Sequence, residues 1–206
     1  MSTVAVPKTL MTEAEYLALE RRSDEKHEFY QGEIFSMAGD SREHNLIALN
    51  LGGELRQELK GRPCEAYVGD MRVRITRSGL YTYPDVVAIC GEPEFLDAEV
   101  DTLLNPTVLI EVLSDSTEEY DRGTKLKHYR KIPSLREYIL VSQLEPLVEQ
   151  FVRRDNNHWD LSETAGLETT LRLSSIGCEI PLAEIYDKIV FPPTKTPPDS
   201  ATSVRE

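Results

Sequence analysis

Tyr83-Pro84-Asp85-Val86-Val87-Ala88-Ile89 and Thr107-Val108-Leu109-Ile110-Glu111-Val112-Leu113 are the two runs from which the rest of the chain is read. Both are apolar and of strand length, and each holds one acid. A carboxylate set into an apolar strand is costly unless something compensates it, and a divalent cation is a common compensator. Asp85 stands at the entry of its strand, directly after Pro84, and Glu111 lies in mid-strand between Ile110 and Val112. Neighbouring strands run about 4.8 Å apart, so two such acids on adjacent strands can share one hard cation. The plainer alternative is that Asp85 caps a turn while Glu111 pairs with an arginine.

A helix is expected to form by Asp121 and to end before Pro133. Leu126, Tyr129 and Ile132 mark its buried face, at about 100° per residue. Lys125 lies about 40° from the centre of that face and Lys127 points nearly the other way, so Lys125 is the lysine that reaches back toward the sheet. The alternative is an ordinary surface pair between Asp121 and Lys125 at i,i+4.

Upstream, Thr12-Glu13-Ala14-Glu15 has the pattern of a capping box and predicts a helix to about Arg22. Gln31-Gly32 between two short apolar runs predicts a hairpin. Ser41 can cap a second helix reaching about Lys60, with a stripe of Leu46, Leu49, Gly53 and Leu59 beside Ile47 and Leu55. Residues 65–76 read as one strand, with Arg72 and Arg74 on a solvated face. Downstream, residues 137–141 are almost continuously apolar and predict a central strand. Residues 147–153 and 159–161 predict a peripheral hairpin, and residues 180–189 a last short helix. This order argues an α/β fold, a central mixed β-sheet flanked by α-helices, in one domain over residues 1–191. Pro192, Pro193, Pro197 and Pro198 predict a disordered tail over residues 192–206.

The length of 206 residues suits one domain with a sizeable core. No apolar run reaches membrane-span length, and Met1-Ser2-Thr3-Val4-Ala5-Val6-Pro7 lacks the regions of a signal peptide. Cys64, Cys90 and Cys178 are odd in number and far apart, which suggests neither a disulfide framework nor a zinc cluster and makes the cytoplasm the simplest home. The formal net charge of −13 disfavours broad, non-specific nucleic-acid binding, leaving only local basic patches to meet a polyanion.

Pro84-Asp85, Glu111-Val112-Leu113-Ser114, Tyr120-Asp121-Arg122-Gly123-Thr124-Lys125, Tyr129 and Ile132-Pro133-Ser134-Leu135-Arg136-Glu137-Tyr138 together resemble the Uma family of restriction-endonuclease-like proteins, in the PD-(D/E)xK superfamily. The resemblance spans residues 12–191. It implies a restriction-endonuclease-like fold, DNA as substrate and Mg²⁺ (or Mn²⁺) as cofactor. In the wider superfamily a lysine stands two residues after the acid. Leu113 holds that position here, and the resemblance assigns the lysine's part to Lys125 on the following helix. It also brings in Glu28, as an acid supplementing the metal site of Asp85 and Glu111, and His44 as a further catalytic candidate. The implied activity is metal-dependent hydrolysis of DNA phosphodiester bonds, with a homodimer as one way to cut two strands. The rival reading is a non-catalytic nucleic-acid- or protein-binding module that keeps the nuclease fold, motivated by the acidic surface. A glycosidase pair built on Glu111 leaves Lys125 without a role.

Overall fold

The computed structural model describes residues 10–37, 39 and 41–192, so Asp40 and the Pro-rich segment beyond Pro192 lie outside the described residues. Thr12 and Glu15 make the reciprocal bonds that their spacing predicts. Thr12 N–H donates to Glu15 Oε2 at 2.8 Å and Glu15 N–H to Thr12 Oγ1 at 3.2 Å, starting α1 (Glu13–Glu20). The hairpin of β1 (His27–Tyr30) and β2 (Glu33–Ser36) turns through Gln31 and Gly32, both at positive φ. That geometry suits the right-handed twist of paired strands. A Cβ at residue 32 would fall 2.6 Å from Leu10 Cβ, so the position needs glycine twice over.

Ser41 Oγ accepts His44 N–H at 3.0 Å and caps α2 (Arg42–Glu58). The buried stripe of α2 is His44, Ile47, Ala48, Leu51 and Leu55, a run at i, i+3, i+4, i+7 and i+11. The expected stripe through Leu46, Leu49 and Gly53 is therefore corrected, and Leu49 is 63% exposed. Leucines lie on more than one side of this helix, and the sheet beneath it selects which side is covered.

Six strands build the central sheet: β3 (Cys64–Val68), β6 (Val86–Cys90), β8 (Val108–Val112), β9 (Glu137–Val141), β10 (Leu147–Arg153) and β11 (Trp159–Ala165). Their spatial order is β11-β10-β9-β8-β6-β3, with β8 and β9 parallel and the other neighbours antiparallel. This is the expected mixed sheet, with residues 137–141 inside it. Residues 65–76, however, do not form one strand. β3 and β4 (Arg72–Ile75) belong to different sheets, and the chain breaks between them at Gly69, where φ is positive. β4 joins β1, β2, β5 (Leu80–Thr82) and β7 (Thr102–Leu103) in the order β2-β1-β5-β4-β7. The solvated reading of Arg72 and Arg74 is corrected with it. Arg72 is buried, bonded to Tyr83 OH and Thr102 Oγ1 and paired with Asp101 at 2.9 Å, and Arg74 pairs with Glu13 at 2.8 Å. The short helix over 180–189 reduces to α5 (Leu182–Ile185), because Ile180 sits in the hairpin of β12 (Thr170–Leu173) and β13 (Cys178–Pro181).

The period of two along β6 and β8 divides the interior. Val86, Ala88, Val108, Ile110 and Val112 face α2, β12, β13 and α5. Val87, Ile89, Leu109 and Leu113 face the opposite way, toward Val73, Leu80, Leu103 and Tyr129. Burying both faces explains why these strands read as continuous apolar runs. Glu111 has the parity of Leu109 and Leu113, so it points to the Tyr129 side.

The expectation of unpaired cysteines is also corrected. The antiparallel β3–β6 register places Cys64 directly opposite Cys90, and the two are joined by a disulfide, while Cys178 is free and buried. Sequence spacing hides a pairing that only strand register creates, and the argument for a reducing compartment loses its basis. Thiol titration in denaturant should find one reactive cysteine before reduction and three after it, and Cys90→Ser should lower unfolding stability by about 2–4 kcal/mol. Three thiols before reduction would show the bridge absent.

Candidate active site

The β6–β8 ladder pairs Val86 with Ile110, and one step further along that register Asp85 comes opposite Glu111. Asp85 Oδ2 accepts the backbone N–H of Val112 at 2.7 Å and lies 3.1 Å from His44 Nε2, at the first turn of α2. Glu111, 3% exposed, accepts a hydrogen bond from Tyr129 OH at 2.6 Å. Burial against the Tyr129 face is what a mid-strand acid of this parity must accept.

Beyond β8 the chain forms α3 (Glu118–Tyr120), a π-helical turn (Asp121–Lys125) and α4 (Leu126–Tyr129). At about 100° per residue, an unbroken α-helix would leave Asp121 about 80° round from Tyr129. The wider i→i+5 turn changes that rotation, and π-turns of this kind occur often at functional sites. Asp121 and Lys125 are both buried here, and Lys127 is exposed.

Lys125 Nζ is the meeting point. It lies 3.0 Å from Glu111 Oε1, 3.2 Å from Asp121 Oδ1 and 3.7 Å from Glu28 Oε1. Glu28 arrives from β1, buried, with Thr82 Oγ1 donating to Oε1 and Tyr120 OH donating to Oε2 at 3.0 Å. Burial opposes the charge on Lys125, yet Glu111, Asp121 and Glu28 together hold its pKa well above the usual lysine value. Burial pushes the Glu111 carboxyl well up; Lys125 draws it down, while Asp121 and Asp85 push it further up. Burial likewise raises Asp121, against the pull of Lys125.

All five residues singled out from the sequence, Asp85, Glu111, Lys125, Glu28 and His44, line one cavity of about 720 Å³. Asp121 lines it as well. Its membership was hidden because, on an α-helical wheel, Asp121 and Lys125 make an ordinary surface pair. The run Arg122-Gly123-Thr124, with its glycine and β-branched residue between the two, is the one local sign of irregular helix. Leu113, at the position where the superfamily keeps its lysine, is buried among apolar side chains.

Among the described residues, no three His, Cys, Asp and Glu side chains are gathered into a finished metal cage. The donor chemistry nevertheless suits a hard divalent cation. The acids offer oxygen only, and three carboxylates meet a single ammonium with Asp85 lining the same cavity. Asp121 Oδ1 is buried and receives no hydrogen bond, only the ion-pair approach of Lys125. Asp85 makes both its contact with the Val112 N–H and its contact with His44 through Oδ2.

Lys125→Met removes the one ammonium from this cluster. Because the folded-state pKa values of Glu111 and Asp121 lie above their unfolded values, both acids cost stability increasingly as pH rises from the unfolded values through the raised ones. The variant should unfold at nearly wild-type denaturant concentration at low pH, where the acids are protonated. It should lose about 3–5 kcal/mol as pH rises and they ionise without a partner. Urea unfolding from pH 4 to 8 reads this directly, and a pH-independent difference would contradict it.

Known proteins agree with this architecture. A family model described as "Uma2: Putative restriction endonuclease" matches residues 13–183. The uncharacterized protein sll1609 of Synechocystis sp. is 40% identical over 174 residues, covering 84% of this chain and 98% of its own length. A second uncharacterized Synechocystis sp. protein, slr1290, is 33% identical over 187 residues, covering 91% and 97% respectively. The crystal structure of a "putative nuclease belonging to DUF820" from Anabaena variabilis superposes with a TM-score of 0.69 at 14% identity, over 86% of this chain and 98% of that one. That likeness carries the fold, an α/β architecture of mixed sheets flanked by helices. With the family model spanning the elements from α1 to α5, the chain belongs to the Uma2 family of restriction-endonuclease-like proteins.

Proposed function

We propose that the protein is an endonuclease that hydrolyses DNA phosphodiester bonds with the help of Mg²⁺ or Mn²⁺. The observation that carries this reading is the convergence of Glu111 from β8, Asp121 from the π-turn and Glu28 from β1 on Lys125 Nζ, with Asp85 across the strand pair. Family membership supports it.

Asp85 and Glu111 would hold the cation, with Asp121 beside them and Glu28 lending its charge from behind. Bound there, a divalent cation supplies Lewis-acid charge to a phosphate oxygen and acidifies water. The remaining roles belong to the chain. Lys125 stays an ammonium at neutral pH, so it donates hydrogen bonds to charge developing on phosphate and does not accept a proton. Burial raises the Glu111 pKa and Lys125 opposes that rise, so the carboxylate charge offered to a cation depends on the ammonium beside it. Tyr129 OH fixes the orientation of that carboxylate. His44 and the Val112 N–H hold Asp85 Oδ2 in place at the cavity wall.

The acidic surface, with a formal net charge of −13, favours a second reading: a binding module that keeps the fold without turning over substrate. One experiment separates the two. Wild type, Glu111→Gln and Lys125→Met are incubated with plasmid and linear DNA in Mg²⁺, Mn²⁺ or EDTA. Wild type should cleave only with metal, and each variant should be slower by about 10²–10³. Equal residual cleavage in all three proteins would assign the activity to a contaminant and leave the binding module. Calorimetric Mn²⁺ titration should show binding lost in Asp85→Ala, Glu111→Ala; unchanged binding would remove the metal site.

A further inference from the structure

The chain has 36 acids and 23 lysines and arginines, yet residues 122–136 contain no acid. They hold Arg122, Lys125, Lys127, Arg130, Lys131 and Arg136. The fold gathers part of this run with one cation from a distant strand and one from a distant turn. Arg153, on β10, donates from its guanidinium to the carbonyls of Arg130 and Ile132 at 2.8 Å and of Pro133 at 3.3 Å, and stacks on Trp159 at 4.7 Å. Its backbone N–H bonds the Arg136 carbonyl at 2.8 Å. Arg77, from the β4–β5 turn, completes the group. Burial first, and then the charges of Arg136, Arg130 and Arg77, hold the Arg153 guanidinium below its usual pKa.

Arg153 is committed to those carbonyls, but its neighbours are free. Arg77, Arg130, Lys131 and Arg136 are exposed, and among the described residues no carboxylate lies within ion-pair distance of any of them. Several other surface arginines are matched, Arg21 by Asp97 and Asp101, Arg74 by Glu13, Arg122 by Glu118 and Glu149, Arg154 by Asp160, whereas Arg130, Lys131 and Arg136 lie close together in an acid-free run. Unmatched like charges held side by side repel one another, on a surface with acids to spare.

We infer that Arg77, Arg130, Lys131 and Arg136 form a phosphate-backbone contact for the DNA whose scissile phosphate enters the cavity of Glu111 and Lys125. The inference rests on the nuclease reading for its ligand. Position supports it. Ser142 and Gln143, just past the C-terminal end of β9, line the cavity, whereas Arg136 immediately precedes the strand's first residue, Glu137. Six residue steps from Arg136 to Ser142 separate the two by about 20 Å, or about six base pairs at 3.4 Å each. The helical segment from Lys125 to Tyr129, with Lys127 exposed, joins them. On an otherwise acidic protein, this patch confines DNA to one approach and so aims it at the site.

The test measures binding without cleavage. Full-length protein in EDTA is titrated into fluorescent 16-base-pair and 5-base-pair duplexes, from 25 to 200 mM salt. The patch variant is Arg130→Ala, Lys131→Ala, Arg136→Ala; the charge-matched control is Arg56→Ala, Lys60→Ala, Lys188→Ala. The patch variant should bind the long duplex at least about tenfold more weakly than the control. The slope of log affinity against log salt should be shallower by about 2–3, and the short duplex should lose less. Circular dichroism should report both variants folded. Equal affinity and slope in the two variants would overturn the proposal. So would displacement of DNA by polyglutamate at equal charge concentration, which would point to an acidic protein partner. Wild-type protein that binds through this patch yet cleaves in no metal would sink the nuclease reading while leaving the DNA-binding surface standing.

Discussion

An ammonium ion buried beneath a β-sheet is tolerable only while carboxylates surround it. Lys125 meets that condition through Glu111, Asp121 and Glu28, and each of those acids would be equally untenable without it. The dependence is mutual and joins three separate parts of the fold: the hairpin β1–β2, the central strand β8 and the π-turn. Apolar residues of the same volume would fill this space with less desolvation, and often with greater stability. Keeping four carboxylates and one lysine beside an open cavity is the pattern expected where groups with displaced pKa values are used in chemistry.

The surroundings hold this cluster in place. Tyr129 and Tyr120 donate to Glu111 and Glu28, and Tyr138 OH donates to the carbonyl of Asp121 at 3.2 Å. Next to it, Tyr83 OH donates to Glu20 Oε1 at 2.8 Å and accepts from Arg72, which pairs with Asp101. Asp101 is held well below the usual carboxylate range by Arg21, Thr102 and Arg72, against its burial. This polar chain ties α1 to β4, β5 and β7. It flanks Pro84, whose fixed φ restrains the backbone just before Asp85. The smaller sheet thus carries Glu28 and anchors the approach to Asp85, while the larger sheet carries Glu111.

Charge is partitioned across the molecule. Acids dominate the total, and the run 122–136 is free of them. A protein with this balance gains little from broad electrostatic attraction to a polyanion, so the placement of its unmatched cations matters more than their number. Arg130 and Lys131 directly follow the helical segment that supplies Lys125.

By itself the sequence determined the strand and helix content of most of the chain, because hydrophobic period, capping residues and turn residues are local signals. Thr12 with Glu15, Gln31-Gly32 and the two acid-bearing apolar runs were legible for that reason. Lys125 could be separated from Lys127 by one helical wheel, and the family motif supplied Glu28 and His44. Other features depend on which strands are neighbours. The Cys64–Cys90 bridge exists because β3 and β6 pair in one register. Residues 65–76 divide between two sheets because Gly69 turns the chain, and Arg72 is buried because Tyr83, Thr102 and Asp101 reach it from three directions. Asp121 enters the cluster through a π-turn, which a period of 3.6 does not encode. Long-range pairing and local helix irregularity satisfy polar groups that the one-dimensional pattern can only count, so only the tertiary structure decided which charges meet.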